Sequence, residues 1–247
     1  MNPAAPPGED RRDTPDLRIF RGVEAWVFDL DNTLYPRETN LFAQVDTRIR
    51  DYVARLLSLS PDEAQALQKG YYRAYGTTLR GLMIEHQVDA DEFLSYVHDI
   101  DHSPISPDPV LADAIERLPG KKFIFTNGSR RHAEKIAERL GVTRQFEDIF
   151  DIVAADLLPK PSRETYDRFL ARTGVAPARA AMFEDLSRNL EVPHALGMLT
   201  VLVVPRGLAP VVHDAWELEG ENAPHVDFVT DRLAGFVGRV ADTLEAG

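Results

Sequence analysis

The hydrophobic positions of this chain change period twice. Near the amino end, Ala25-Trp26-Val27-Phe28 is an unbroken apolar run that suits a strand buried on both faces, and it stops at Asp29-Leu30-Asp31-Asn32-Thr33. From Leu41 the spacing becomes helical, with Leu41, Val45, Ile49, Val53 and Leu56 on one stripe. Ser60-Pro61-Asp62-Glu63 sets a capping serine, a first-turn proline and a reciprocal glutamate before a second helix, whose stripe is Ala64, Leu67, Tyr71 and Tyr75. Asp89 to Ile100 predicts a third helix. No strand pattern interrupts Leu41 to Asp101, which reads as a helical insert closed by the proline-rich Ser103-Pro104-Ile105-Ser106-Pro107-Asp108-Pro109.

Beyond those prolines, helices alternate with short apolar strands. Val110 to Leu118 reads as a helix, Phe123-Ile124-Phe125 as a strand, Ser129 to Leu140 as a helix ended by Gly141, and Ile152-Val153 as a short strand. Ser162 to Arg172 is the next helix, Ala180 to Phe183 a strand, Leu190 to Leu196 a helix, Thr200 to Val204 a strand, and Asp231 to Leu244 the last helix. Pro193 fits a helix that starts near Asn189, where a first-turn proline loses no intrahelical donor. This alternation predicts an α/β fold, a doubly wound parallel sheet with a helical module inserted after the first strand. The expected division is a loose tail over 1–16, a core from 17–36 and 104–247, and a helical cap over 37–103.

Composition narrows the function. The chain has 247 residues, 44% hydrophobic and 28% charged, which is the profile of a globular protein. Its 40 acidic and 28 basic side chains give a formal charge of −12. A nucleic-acid polymer would be repelled, and a phosphate site would need local positive charge from a lysine, backbone amides or a metal. With no cysteine, disulfides, thiolate nucleophiles and cysteine-bound metals are absent, and a cytoplasmic location is expected. The apolar run from Leu199 to Val204 is far shorter than the roughly 20 residues of a membrane span. Met1 to Asp16 lacks the apolar stretch of a secretory signal.

Ligands of open α/β sheets bind beyond the carboxyl ends of the strands. There the sequence places Asp29 and Asp31, then Thr126-Asn127-Gly128, then Lys160-Pro161, then Glu184-Asp185. Each has a plain alternative: turn residues for Asp29 to Thr33, a helix cap for Thr126 to Ser129, a surface lysine for Lys160, and acids at a helix start for Glu184 and Asp185. Taken together they make a candidate metal and phosphate site, since carboxylates and a substrate phosphate suit Mg2+. Tyr71, Tyr72 and Tyr75 could stack on a base, but a helical stripe of this kind reads as packing. His98 and His102 have a spacing that could hold a metal on a helix, yet the following prolines favour a frayed, solvated end.

In this order the motifs resemble the haloacid dehalogenase superfamily. Asp29-Leu30-Asp31-Asn32-Thr33 is similar to its first motif, Thr126-Asn127 to its second, Lys160 to its third, and Glu184-Asp185 with Asn189 to its fourth. More narrowly, Phe28 to Pro36, Phe183 to Leu190 and the helical insert resemble the pyrimidine 5′-nucleotidase branch. The resemblance implies a Rossmann-like core and a Mg2+-dependent phosphatase acting on a small phosphate monoester, with nucleoside 5′-monophosphates as expected substrates. It implies Asp29 as nucleophile, Asp31 as general acid and base, and Thr126, Asn127 and Lys160 as phosphate ligands. Mg2+ would be held by Asp29, the backbone carbonyl of Asp31 and Asp185, with Glu184 and Asn189 in support. A general acid also implies a raised pKa for Asp31. Small sugar or organic phosphates such as phosphoglycolate remain alternative substrates. A phosphomutase, a carbon–halogen hydrolase and a non-catalytic phosphate-binding protein are the competing activities. The oligomeric state is left open.

Overall fold

The computed structural model describes residues 16–205 and 220–247. The expected tail therefore lies outside the described residues except for Asp16, whose carboxylate caps the 3-10 turn Leu17–Gly22. Six strands, β1 (Ala25–Phe28), β2 (Lys121–Phe125), β3 (Asp148–Phe150), β4 (Ala180–Glu184), β5 (Leu199–Val203) and β6 (Phe228–Thr230), form one sheet in the order β3-β2-β1-β4-β5-β6. Every pairing is parallel. The chain runs outward from β1 through β2 to β3, then returns to the other side of β1 with β4. That reversal makes a crevice beyond the carboxyl ends of β1 and β4, where such sheets bind ligands.

Alternate residues of the strands supply two cores. Trp26, Phe28, Ile124, Ala181 and Phe183 enter one with α5 (Pro109–Arg117), α6 (Arg130–Leu140) and α9 (Leu233–Glu245). Ala25, Val27, Phe123, Phe125 and Met182 enter the other, where Tyr166 and Phe169 of α7 (Arg163–Thr173) cover them. Phe28 and Phe183 stack at 4.6 Å across the two central strands. The short helix α8 (Glu191–Ala195) follows a 3-10 turn and carries Pro193 in its first turn, as expected. No helix among the described residues is long and apolar enough to cross a membrane.

Between β1 and β2, four helices surround a third buried cluster: α1 (Leu41–Leu57), α2 (Pro61–Tyr75), α3 (Thr78–His86) and α4 (Ala90–Val97). The capping box at Ser60 and Glu63 forms as the sequence indicates. In α1, Tyr52 takes the buried place expected of Leu56, which is 41% exposed. The helix α3 was not anticipated. It separates from α2 because Gly76 turns the chain with φ 85° and Thr77 caps a new first turn. The helix expected over Asp89 to Ile100 is shorter, with Asp89 as its cap and His98 at its end.

The strand expected at Ile152-Val153 lies instead at Asp148–Phe150. Ile149 and Phe150 face the two cores there, while Asp148 is tolerated at the sheet edge by ion pairs to Arg130 and Arg172. Ile152 joins the cluster of the helical insert, and Val153 is half exposed. Hydrophobicity alone does not distinguish these roles.

The aromatic packing gives a stability prediction. Phe236 contacts Phe20, Phe183 and Phe228 and is buried. Phe236→Ala should cost about 3–5 kcal/mol in equilibrium urea unfolding.

Candidate active site

The loops beyond β1, β2 and β4 converge because their strands are neighbours in register. Asp29 directly follows β1 and its amide donates to the carbonyl of Phe183, which carries the sheet ladder one residue into the loop. Its Oδ2 accepts from Thr33 Oγ1 at 3.0 Å, and its Oδ1 from Lys160 Nζ at 2.7 Å. The turn between Asp29 and Thr33 requires Asn32 to adopt φ 60°, a conformation that glycine and asparagine reach at low cost.

Lys160 is almost completely buried. Its ammonium donates to Asp29, to the carbonyl of Phe125 at 2.8 Å and to Glu184 Oε1 at 2.6 Å, so one charge joins the ends of β1, β2 and β4. Asn127 holds the lysine backbone, accepting from its N–H at 2.8 Å and donating to its carbonyl at 3.3 Å. These two bonds leave the Asn127 amide one further N–H to offer. Thr126, also buried, accepts from the Gly128 amide at 2.9 Å, which leaves its hydroxyl hydrogen for another acceptor.

Beyond β4, Glu184 accepts from Asn189 Nδ2 at 2.7 Å and from the Leu186 amide at 3.0 Å. Asp185 meets Arg37, whose Nη2 lies 2.6 Å from Oδ2. Asp29, Glu184 and Asp185 are all buried, and each offers a carboxylate oxygen within 4.8 Å of the others. Hard oxygen donors gathered this way fit a divalent cation. Their electrostatics point the same way. Burial pushes Asp29 well above the usual carboxylate range against the pull of Lys160, with Glu184 and Asp185 adding to the rise. Burial likewise lifts Asp185 to about 7, opposed by Arg37. The two carboxylates hold Lys160 protonated against the effect of its own burial. When ionised, the three carboxylates outnumber one ammonium and one guanidinium, and that excess is what a cation would neutralise.

Asp31 differs from the other acids. Its Oδ1 accepts from Tyr35 Oη at 2.6 Å and pairs with His132 Nε2 at 3.0 Å. Burial raises its pKa, but the charge and hydrogen bond of His132 and the hydroxyl of Tyr35 outweigh it, so the carboxyl falls below its ordinary value. This corrects the expectation of a raised pKa, which considered neighbouring acids and not these donors.

The structure therefore brings Asp29, Lys160, Glu184, Asp185 and Asn189 together, with Thr126 and Asn127 on the adjoining turn. Sequence reasoning missed Arg37 and His132, gave Tyr35 no chemical role and read His98 as part of a frayed helix end. A signal existed for Tyr35, which stands four residues after Asp31 as Thr33 does after Asp29, and for His132, in the first turn after the Thr126 motif. None existed for His98. It is not a frayed end: its ring stacks on His132 at 4.3 Å, and burial pushes it down to about 3. His102 packs nearby, 5.6 Å from the His132 ring. Tyr71 and Tyr75 pack on each other against α3, where a side chain at Gly81 would collide with both. Tyr72 instead faces the core, beneath the Arg188 guanidinium at 4.6 Å.

The sequence signature of the haloacid dehalogenase-like hydrolases matches residues 23–197. The chain belongs to that family. This haloacid dehalogenase-like hydrolase is 27% identical over 227 residues to "Phosphate metabolism protein 8" of Saccharomyces cerevisiae, covering 84% of this chain and 67% of that one. Among solved structures, it is similar to the L-2-haloacid dehalogenase from Xanthobacter autotrophicus, with TM-score 0.56 and 19% identity over 87% of this chain and 97% of that one. The HAD phosphatase from Thermococcus onnurineus gives TM-score 0.55 and 19% identity, covering 87% and 96%. The magnesium-bound HAD-hydrolase YfnB from Bacillus subtilis gives 0.52 and 15%, covering 88% and 98%. At these identities the likeness is one of fold.

Burial holds the carboxyls of both Asp29 and Asp185 above their ordinary range, which would make cation binding depend on pH. Protons compete with a cation for both carboxylates, so affinity rises with pH and is lost as pH falls through the value of about 7 at which Asp185 titrates. Mg2+ should raise the unfolding temperature at about pH 8 and have little effect at about pH 5.5, as read by thermal-shift titration. A Mg2+ effect that is larger at the acid end would contradict the assignment.

Proposed function

We propose that this hydrolase is a Mg2+-dependent phosphomonoesterase that works through an aspartyl-phosphate on Asp29. The observation that carries the reading is the second carboxylate, Asp31, one oxygen of which is left without a donor among the described residues, beside a three-carboxylate cluster. Displacing a halide from carbon has no use for a proton donor or a divalent cation. The name of the yeast relative, which refers to phosphate metabolism, supports the same chemistry.

In the first step an Asp29 oxygen forms a bond to phosphorus while the bond to the leaving oxygen breaks, and Asp31 gives that oxygen its proton. In the second, a water attacks phosphorus, Asp31 takes the water's proton, and the Asp29 carboxylate is released with inorganic phosphate. The arriving phosphate dianion opposes the ionised form of Asp31, so the carboxyl takes up its proton when substrate binds. Thr126 and Lys160 face the transferring group, and Asn127 keeps Lys160 in place. Asp29, the Asp31 carbonyl and Asp185 would hold Mg2+, with Glu184 and Asn189 in support; when bound, the ion supplies charge neutralisation.

The insert over 37–103 serves as a cap that excludes water from the site, while 17–36 and 104–247 form the catalytic core. Nucleoside 5′-monophosphates are the proposed substrates, on the likeness of Phe28 to Pro36 and Phe183 to Leu190 to the pyrimidine 5′-nucleotidases. Small sugar and organic phosphates are the close alternative.

Phosphate release from a panel of uridine, cytidine and purine monophosphates, phosphoglycolate and sugar phosphates tests both levels. Activity should require Mg2+ and disappear with a chelator and in Asp29→Asn. Asp31→Asn should lose on the order of 10²–10⁴ in turnover with its fold intact. Turnover that survives Asp29→Asn would refute the nucleophile, and a preference for a non-nucleotide would refute the substrate class.

A further inference from the structure

The two oxygens of Asp31 are not equivalent. Oδ1 receives both donors, Tyr35 Oη at 2.6 Å and His132 Nε2 at 3.0 Å. Oδ2 faces Gly128, where even a Cβ would stand 3.7 Å away. An oxygen already accepting two hydrogen bonds cannot also carry a hydrogen without turning it against those donors. The transferable proton therefore belongs on Oδ2. An aspartate χ2 torsion is broad and nearly two-fold, so without such ties the carboxyl would exchange its oxygens freely.

His132 is itself held from the helical insert. Its side chain is fully buried in the first turn of α6, and its Nδ1 has no hydrogen-bond partner among the described residues, so no second bond from them fixes the ring plane. The plane is set by His98, stacked at 4.3 Å with an interplanar angle of 13°. His98 closes α4, and its Nδ1 bonds at 2.9 Å to the Ser129 hydroxyl that caps α6. A cap side chain, a core ring and the carboxylate thus form one continuous contact. No ligand is needed to explain it, and Asp29, Lys160 and the acidic cluster take no part in it.

We infer that His132 is a positioning residue for proton transfer, turning Asp31 so that Oδ2 faces the leaving-group oxygen, and that His98 of the insert locks His132 in that pose. This rests on the phosphomonoesterase reading above. Its signature is selective. A leaving group that departs readily as an anion needs little help from an acid, whereas a basic one depends on it. Misplacing the acid should therefore steepen the dependence of the rate on leaving-group basicity and leave attack by Asp29 unaltered.

The test uses the full chain with Mg2+ and two aryl esters of nearly the same shape, p-nitrophenyl phosphate and phenyl phosphate, reading phenol release in a single turnover. For His132→Leu, release from p-nitrophenyl phosphate should change by less than about 3-fold and release from phenyl phosphate should fall about 10–100-fold, since small misplacements of a catalytic group cost this much. His132→Gln, whose amide nitrogen can reach the place of Nε2, should recover to within about 5-fold of wild type on phenyl phosphate. His98→Ala should show the same selective loss at a smaller size, and His98→Phe, which keeps the stack, should lose less. Equal losses on both esters in His132→Leu, no loss at all, or a glutamine variant as poor as the leucine one would each overturn the inference. If wild-type chain releases phenol from neither ester, the phosphomonoesterase reading falls and takes this inference with it. A wild type active on both, with Asp31→Asn selectively impaired and His132→Leu not, would overturn the positioning role alone.

Discussion

The ammonium of Lys160 is the charge around which the rest of the site is arranged. Moving an ion of that kind out of water costs several kcal/mol even after the protein relaxes, and only close partners offset it. Asp29, Glu184 and the Phe125 carbonyl are those partners, and each stands at the end of a different strand. The lysine therefore acts as a cross-link between β1, β2 and β4 at the crevice where the strand order reverses. Its backbone is held in turn by Asn127, so the loop after β2 and the loop that carries the lysine are fixed relative to each other. Asp185 receives a separate cation, Arg37, from the loop that leads into the helical insert. Both cations are spent on internal neutralisation, and the remaining negative charge defines where a further positive ion fits.

Much of this was legible in the sequence, for a reason that can be stated. In a doubly wound sheet the site is made of residues that immediately follow strands, so finding β1, β2 and β4 also finds Asp29, Asp31, Thr126, Glu184 and Asp185. Lys160 was also reached by following a strand, although that strand was placed three to four residues late. There, a half-exposed Asp148 held in the edge strand by ion pairs with Arg130 and Arg172 defeats a reading based on hydrophobicity. What stayed hidden depends on contacts between elements distant in sequence. His98 and His132 are brought together only when the insert folds back on the core, and nothing local to either marks the pair. Arg37 carries no local mark of a site residue, yet it is only 5% exposed. Tyr35 was noticed as part of a likeness but without a chemical role, which its hydrogen bond to Asp31 supplies.

Family membership fixes the scaffold and leaves the reaction to the site. The structural neighbours include enzymes named for breaking carbon–halogen bonds and one named as a phosphatase, with nearly the same TM-scores. Fold similarity cannot choose between them. The choice rests on donor chemistry: the grouping of three buried carboxylates, the lysine that two of them share, and a further carboxylate held by a tyrosine and a histidine.

The alternation of β1 has a consequence for how the chain can vary. Trp26 and Phe28 belong to one core and Ala25 and Val27 to the other, and Asp29 is counted off directly from Phe28. Inserting or deleting a single residue in this strand would exchange large and small side chains between the two cores and aim the first acid away from Lys160. Length is therefore frozen in β1 even where composition is free, whereas the exposed turns joining α1 to α2 and α3 to α4 are the places where the chain can grow or shrink; the turn at Gly76 packs on Pro159 beside Lys160 and has no such freedom.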